Sequence, residues 1–303
     1  MKHILILGSE GFIGNHLVSH FLKQGFTVSG GDLFEVPSQS NYQYYKVSRL
    51  SPELEDVFGA QLYDYCVNAA GSGNVSYSMT HPVQDFEANT LDPIRILDII
   101  RRTNPSCKYV HLSSAAVYGN PASLPVDENF ILNPLSAYGW HKLMSEHICK
   151  EYQSLYGINT AILRPFSIYG NGLKKQLLWD ICNKFQQADQ IRLFGTGKES
   201  RDFLHVKDLA GLIGAIINSS DFTGNIYNAA SGVETTIRDI ALLFEKYFGT
   251  NKKINFTGEV RKGDPLNWRA DISKAKELGF TPSINLEQGI QQYIEWFRQL
   301  NPR

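Results

Sequence analysis

The chain has 303 residues, of which 43% are hydrophobic and 19% are charged, a composition typical of a globular protein. Its 29 lysines and arginines are balanced by 30 acidic residues, and the net charge of −1 argues against a protein that binds nucleic acid by bulk attraction to phosphates. At roughly 150 residues per domain, the length predicts one large domain or two closely packed ones.

The sequence predicts no segment that enters a membrane. The most apolar N-terminal run, Ile4–Leu7, is followed at once by Gly8, so it is too short for a signal peptide or a transmembrane helix. The four cysteines form no C-x-x-C pair, which is typical of buried thiols in a reducing compartment rather than of a zinc site or disulfides. We therefore expect a cytoplasmic protein without a metal site or a membrane partner.

The first two-thirds of the chain alternate short apolar runs with helical patterns. Strands are predicted at Lys2–Leu7, Thr27–Gly31, Asp64–Asn68, Lys108–Leu112 and Thr160–Arg164. Longer helices are predicted at Phe12–Lys23, Pro82–Arg102 and Ser136–Tyr156. Because helices separate the strands, the pattern predicts an α/β fold with a Rossmann-type, doubly wound parallel sheet.

After Arg164 the pattern changes. Helices are predicted at Leu173–Gln187, Val206–Asn218, Ile237–Phe248, Ser273–Leu278 and Leu286–Gln299, and a strand at Asn225–Asn228. We expect a first domain of residues 1–165, which about 202–230 rejoin, and a smaller C-terminal α/β lobe of residues 166–201 and 231–303. Two lobes without a flexible linker meet at a cleft, a common place for a ligand.

A glycine-rich turn follows the first predicted strand and opens the first helix. Gly8, Gly11 and Gly14 have the spacing G-x-x-G-x-x-G, with Phe12 and Ile13 between the last two. Glycines let the backbone approach a pyrophosphate closely, and the free N–H groups of the helix N-terminus bind its negative charge. This turn predicts a dinucleotide site.

Asp32 ends the second predicted strand, 18 residues after Gly14. A carboxylate at this place can accept hydrogen bonds from the adenosine ribose, and it repels a 2′-phosphate. The sequence therefore predicts NAD rather than NADP as the cofactor.

Tyr138 and Lys142 lie four residues apart on a predicted helix, so their side chains share one face. The pKa of a free tyrosine is about 10, too high for a base at neutral pH. A neighbouring ammonium and a nicotinamide cation both favour the phenolate, which makes this pair a candidate acid/base; the alternative is an amphipathic surface pair.

Further segments carry a resemblance over almost the whole chain. They are His111–Gly119, Leu163–Gly170, Arg201–Asp208, Arg261–Pro265 and Ala270–Ala275. Together with the glycine turn and the Tyr138/Lys142 pair, the chain resembles the extended short-chain dehydrogenase/reductases, the NAD-dependent sugar-nucleotide epimerase/dehydratase family. The resemblance implies that the first domain binds NAD and the smaller lobe binds a nucleotide-diphosphate sugar.

The resemblance also implies catalytic roles. Tyr138 matches the family's acid/base, and Lys142 matches the lysine that lowers the tyrosine pKa and holds the nicotinamide ribose. Ser114 matches the Ser/Thr that hydrogen-bonds the sugar hydroxyl. Ala115 and Ala116 stand where the family's dehydratases carry acid and base residues, which argues against a dehydratase.

Ligand contacts follow from the same resemblance. For the cofactor, Ala69, Ala70 and Gly71 match the loop beside the adenine and ribose, and Asn89 matches a helix asparagine that supports the site. For the substrate, the matching or nearby positions are Ser167, Phe194, Arg201 and Arg261. The two arginines suit a diphosphate, since a guanidinium is planar and permanently charged; the alternative for them is a salt bridge between lobes.

Two chemistries use the same catalytic residues. We favour a sugar-nucleotide 4-epimerase, in which C4 is oxidised and then reduced on the other face, over a 4-keto-sugar-nucleotide reductase. A non-catalytic regulator of the same fold is a third alternative, although such proteins usually lose the tyrosine or the lysine. The family also implies a homodimer, formed through the helices predicted at Pro82–Arg102 and Ser136–Tyr156.

Overall fold

The computed structural model describes residues 1–48, 53–188, 190–259 and 266–301. The strands of this part of the chain are β1 (His3–Leu7), β2 (Thr27–Asp32), β3 (Gln43–Lys46), β4 (Tyr65–Asn68), β5 (Lys108–Leu112), β6 (Thr160–Pro165), β7 (Ser167–Tyr169), β8 (Ile191–Leu193), β9 (Ser200–His205), β10 (Thr223–Ala229), β11 (Glu234–Thr236) and β12 (Ile254–Phe256).

A seven-stranded sheet in the order β10-β6-β5-β4-β1-β2-β3 forms the centre of the protein. Every pair of neighbouring strands in it is parallel. The chain runs outward from β1 to β3 and then crosses back to β4, so the strand order reverses between β1 and β4. In such sheets ligands bind beyond the carboxyl ends of the strands at this point. The prediction of a doubly wound parallel sheet is confirmed.

Helices cover both faces of this sheet and extend into the smaller lobe. They are α1 (Phe12–Lys23), α2 (Glu53–Ala60), α3 (Val75–Thr80), α4 (Pro82–Phe86), α5 (Asp92–Thr103), α6 (Ala137–Tyr156), α7 (Gln176–Gln187), α8 (Val206–Ser219), α9 (Ile237–Phe248), α10 (Ser273–Glu277) and α11 (Leu286–Leu300). In the described ranges, no helix is both long and apolar enough to cross a membrane.

One predicted helix is divided. The sequence predicts a single helix over Pro82–Arg102, whereas the structure has α4, a π-helical turn at Glu87–Leu91, and then α5. Pro93 lies in the first turn of α5 and has no N–H, so it cannot continue the hydrogen-bond ladder of a preceding α-helix. The π-helical turn replaces the regular ladder there, a feature often found at functional sites.

The smaller lobe contains short strands that the sequence did not predict. β7, β9 and β11 form a three-stranded sheet, and β8 pairs with β12. Four of these strands, β7, β8, β11 and β12, have three residues each, too few to show a periodic pattern. The chain then returns through α8, which packs on α1, and through β10, which pairs with β6 as the predicted strand at Asn225–Asn228 requires.

Candidate active site

The glycine turn lies between β1 and α1 and packs against the end of β4. Gly8 has a φ of 77°, which an L side chain rarely adopts, and its N–H donates to the Gly31 carbonyl at 2.8 Å. A Cβ on Gly14 would lie 1.9 Å from the Gly8 carbonyl oxygen. The turn therefore exists only with glycine at these positions, and it leaves room for a ligand's phosphates near the backbone.

The N-terminus of α1 has no competing side chain. Gly11 is its N-cap residue and makes no side-chain hydrogen bond, and the first turn contains no acidic residue. Phe12 packs on the core of the smaller lobe and Ile13 on the core beside the main sheet. The first N–H groups of the helix are thus available for an anion, as a pyrophosphate site requires.

Asp32 ends β2 and lies next to the glycine turn. Its Oδ2 accepts a hydrogen bond from the Glu10 N–H at 2.9 Å, and its Oδ1 accepts one from the Leu33 N–H at 2.7 Å. The Glu10 carboxylate is held in turn by the Tyr42 hydroxyl at 2.5 Å and the Ser38 N–H at 2.7 Å. Asp32 is therefore fixed beside the turn. This position is compatible with the contact to the adenosine ribose that the sequence predicts.

The loop after β4 and the π-helical turn meet at Asn89. The side chain of Asn89 is fully buried, and its Oδ1 accepts from the Ser72 N–H at 3.3 Å. Its Nδ2 has no hydrogen-bond partner among the described residues. Ala69, Ala70 and Gly71 form the loop between Asn89 and the glycine turn, with the Ala70 nitrogen 2.6 Å from a Cβ built on Gly8. A buried donor without a partner and a backbone cradle fit a bound dinucleotide.

Ser114, Tyr138 and Lys142 come together at the carboxyl end of β5. Ser114 caps the 3₁₀ turn at Ala115–Val117, its Oγ accepting from the Ala116 N–H at 3.1 Å, and its side chain lies close enough to the Tyr138 hydroxyl to act on the pKa of that group. The Lys142 Nζ donates to the Leu112 carbonyl at 2.8 Å and lies 6.0 Å from the centre of the Tyr138 ring. Both α6 residues are buried.

Burial governs the ionisation of this pair. Burial raises the pKa of Tyr138 to about 12, and the hydrogen bond from Ser114 acts in the opposite direction. Burial lowers the pKa of Lys142 to about 8. Sequence reasoning expected Lys142 to lower the tyrosine pKa, but burial is the largest effect on it and raises it. Ser114 is the neighbour that favours the phenolate in this structure.

Several supporting residues were not predicted from the sequence. The Tyr138 N–H donates to the Ser78 hydroxyl at 3.0 Å, which fixes the first turn of α6 against α3. His141 Nδ1 lies 2.7 Å from Oδ2 of Asp85, whose side chain is fully buried. The position of His141, next to Lys142 in the motif, is the only sequence signal for that pair, since Asp85 lies more than fifty residues earlier.

The predicted substrate residues lie on the smaller lobe. Ser167 begins β7, directly after β6, and pairs with Phe203 of β9. Arg201 lies on β9, where its guanidinium is 5.6 Å from the Trp268 ring centre and donates to the carbonyls of Ser200 and Leu266. Phe194 is half exposed next to the Gly195–Gly197 turn. The remaining predicted contact, Arg261, lies outside the described residues.

The residues after Ser114 contain no titratable side chain. Ala115 is fully buried in the 3₁₀ turn, and Ala116 packs partly against the core. The turn after Ser114 therefore supplies no acid or base of its own.

Comparison with known proteins identifies the family. A model of the NAD dependent epimerase/dehydratase family matches residues 4–230. The chain belongs to this family. The UDP-glucose 4-epimerase of Mycolicibacterium smegmatis is 26% identical to it over 97% of this chain and 98% of that protein.

Solved structures agree with the family over the full chain. The UDP-glucuronic acid 4-epimerase of Bacillus cereus, in complex with UDP-glucuronic acid and NAD, is 27% identical, with a TM-score of 0.90 over 99% of this chain and 100% of that one. The UDP-glucose 4-epimerase of Thermotoga maritima, with UDP-glucose, is 25% identical, with a TM-score of 0.91 over 99% of both chains. This family member is an NAD-dependent sugar-nucleotide epimerase.

Proposed function

We propose that the protein inverts C4 of a UDP-linked hexose or hexuronic acid, with Tyr138 as the acid/base. The observation that carries this proposal is the cluster of Ser114, Tyr138 and buried Lys142 at the end of the sheet where the glycine turn lies. The alanines after Ser114 leave no second acid or base for the elimination of water. Two of the similar solved structures are complexes with UDP-glucuronic acid and with UDP-glucose.

Each catalytic residue has a role that its contacts support. Tyr138 takes the proton of the C4 hydroxyl as C4 is oxidised and returns it after inversion. Ser114 donates a hydrogen bond to the tyrosine oxygen, which stabilises the phenolate and orients the sugar hydroxyl. Lys142, held by the Leu112 carbonyl, supplies positive charge next to the tyrosine ring. A dinucleotide held by the glycine turn would supply the acceptor for the C4 hydride and the donor that returns it to the other face.

The NAD site proposed here uses the turn and the residues around it. Gly8, Gly11, Phe12, Ile13 and Gly14 bind the pyrophosphate through their backbone and the helix N-terminus. Beyond the turn, Asp32 binds the adenosine ribose, the loop of Ala69, Ala70 and Gly71 lines the adenine and ribose side, and Asn89 supports the site.

The sugar nucleotide is proposed to bind across the smaller lobe. Arg201 lies over the Trp268 ring and donates to the carbonyls of Ser200 and Leu266, so its position is fixed before a diphosphate arrives. Ser167 lies next to the catalytic end of β6, and we assign the nucleotide base to the surface near Phe194, beside the Gly195–Gly197 turn. We assign Arg261 to the diphosphate as well. Accordingly, residues 1–165 and about 202–230 form the NAD domain, and 166–201 and 231–303 form the substrate lobe.

We further propose a homodimer in the cytoplasm. An exposed apolar surface follows α3, α4 and α6, and its members are Met79, Val83, Phe86, Trp140 and Met144. Apolar groups in this number on adjacent helices are typical of an interface in which two helices of each protomer form a four-helix bundle. The cytoplasm is supported by the four cysteines, all of which are buried thiols.

Light scattering tests the dimer. The wild type is expected to have twice the chain mass at micromolar concentration, and Trp140→Glu combined with Met144→Lys should give a monomer. Leu242→Lys, which places a charge on the exposed face of α9, is the matched control and should leave the mass unchanged. A wild-type monomer would remove this part of the proposal.

A substrate panel tests the reaction. The protein with NAD is incubated with UDP-glucose, UDP-glucuronic acid and UDP-N-acetylglucosamine, and the anomeric and C4 proton signals are followed by NMR. The proposal expects a C4 epimer of at least one of them, and no product with Tyr138→Phe. Loss of the C6 carboxylate without inversion, or no reaction with any of the three, would contradict it.

A further inference from the structure

A line of buried polar side chains connects the loop of Ala69, Ala70 and Gly71, called the cofactor loop below, to strand β5. The Ala70 N–H donates to Asn68 Oδ1 at 3.1 Å, and Asn68 Nδ2 donates to the Tyr109 hydroxyl at 3.0 Å. The Tyr109 oxygen lies 3.3 Å from His111 Nδ1. Tyr109 and His111 are two residues apart on one strand, so both side chains point to the same face of the sheet.

The same line continues from β5 to the catalytic helix. His111 Nε2 lies 2.8 Å from the Ser145 Oγ, and the Ser145 hydroxyl donates to the Lys142 carbonyl at 2.7 Å. Asn68, Tyr109, His111 and Ser145 are each at most 3% exposed. Buried groups of this kind have no water to replace a lost partner, so each bond in the line depends on its neighbours.

The proton positions along this line follow from its two ends. Ala70 presents a backbone N–H, which orients Asn68 with its oxygen toward the loop and its amide N–H₂ toward Tyr109. Ser145 uses its one proton for the Lys142 carbonyl, so His111 Nε2 must be the donor between those two residues.

It follows that His111 Nδ1 carries no proton and accepts the proton of Tyr109. The other tautomer would leave the Tyr109 proton without an acceptor among the described residues. Burial, assisted by the Lys142 ammonium, holds the pKa of His111 well below its ordinary value, so the ring is neutral. All hydrogen bonds then run in one direction, from the cofactor loop to the turn of α6 that carries Lys142.

We propose that Tyr109, His111 and Ser145 are positioning residues, which hold the cofactor loop and the Lys142 turn in one fixed relation through this directed chain of hydrogen bonds. The inference rests on the proposed function, because that function gives the loop and Lys142 their roles. None of the three touches the reacting atoms. Their contribution is to place two parts of the NAD site that lie on different elements.

The first test is the tautomer of His111 in the wild-type protein. Histidine labelled with ¹⁵N is observed by long-range ¹H–¹⁵N NMR, and His111→Gln identifies the signal. We expect the Nε2–H tautomer, with no titration between pH 6 and 8. An Nδ1–H tautomer or a titrating ring would overturn the proposal. This test needs neither substrate nor turnover, so it stands or falls apart from the proposed reaction.

The second test is the affinity for NAD, measured by titration. Tyr109→Phe and Ser145→Ala are each expected to raise the Kd for NAD roughly three- to tenfold, the effect of one buried hydrogen bond. In the double variant, the factor by which the Kd for NAD rises should be smaller than the product of the two single-variant factors, because the bonds belong to one chain. Unchanged affinity in Ser145→Ala, or independent effects that multiply, would contradict the proposal.

The matched control for these variants is Tyr227→Phe. It removes a buried hydroxyl that bonds Ser220 at 3.0 Å, on strand β10 at the edge of the same sheet. Its loss of thermal stability should be similar to that of Tyr109→Phe, while the Kd for NAD stays within twofold of the wild type. A Kd raised as much as in Tyr109→Phe would show that loss of stability alone weakens NAD binding, and would overturn the proposal.

Discussion

The proposed cofactor end and the proposed substrate end of this protein are built in different ways. The cofactor end is made from backbone at the ends of β1, β2 and β4, with Gly8 and Gly14 where a Cβ would collide with main-chain atoms. The proposed substrate end is made from side chains on short strands and loops, such as Arg201 of β9 over the Trp268 ring. Backbone geometry constrains the sequence strictly, whereas a side-chain site can change its ligand with few substitutions. The identity of the cofactor can therefore be predicted from the sequence, whereas the identity of the sugar cannot.

Loss of the Tyr138 hydroxyl should remove the chemistry while ligand binding at both ends is kept. Tyr138→Phe is expected to lower kcat roughly a thousandfold, the usual contribution of a general acid/base, while the ring keeps its packing. The Kd values for NAD and for UDP-sugar should stay within about threefold of the wild type, as measured by titration. Activity close to that of the wild type would contradict the role of Tyr138.

A single methyl group in the glycine turn should disable the cofactor end alone. Gly14→Ala places a Cβ against the Gly8 carbonyl oxygen, and the turn must shift away from a pyrophosphate. We expect the Kd for NAD to rise roughly a hundredfold, equivalent to about 2.7 kcal/mol. Gly59→Ala, on α2 with no atom near the added methyl, is the control and should bind NAD normally. Normal binding by Gly14→Ala would show that the turn does not hold the cofactor.

Substitution of Arg201 should weaken binding of the UDP-sugar without any change in cofactor binding. Arg201→Ala is expected to raise KM for the UDP-sugar roughly tenfold or more, because a charged hydrogen bond to the diphosphate is lost. Arg269→Ala is the matched control, since Arg269 is an exposed neighbour that bonds only the Gly232 carbonyl among the described contacts. An unchanged KM in Arg201→Ala would assign Arg201 to the structure of the lobe instead.

The smallest effect concerns the pH dependence. The Ser114 hydrogen bond lowers the pKa of Tyr138, so Ser114→Ala should raise it. Since the phenolate is the base, the acid limb of the pH profile of kcat/KM should then move to higher pH, by up to about one unit. Ser113→Ala changes a serine that bonds Glu146 instead and should leave this limb in place. A limb that moves to lower pH, or not at all, would contradict the role of Ser114.

The sequence allowed prediction of features that depend on spacing. The sheet, the turn and the Tyr138/Lys142 pair follow from periods and fixed intervals, and the structure brings them to one edge. The contacts between segments distant in sequence, such as Asp85 with His141 or Arg201 with Trp268, could not be predicted in this way. The direction of the Tyr138 pKa shift could not be predicted from the sequence either, because burial depends on everything packed around the ring. The π-helical turn that carries Asn89 interrupts a pattern that reads as one continuous helix.

The most direct test of the proposed reaction follows the hydrogen at C4. The protein is incubated with catalytic NAD and UDP-glucose or UDP-glucuronic acid in deuterium oxide, with ¹H NMR for the sugar and absorbance at 340 nm for NADH. We predict inversion at C4 with the original hydrogen retained, because it passes between sugar and cofactor without exchange with solvent, and no net change in absorbance. Deuterium at C4, or stoichiometric consumption of NADH with a 4-keto sugar nucleotide and no inversion, would contradict the account.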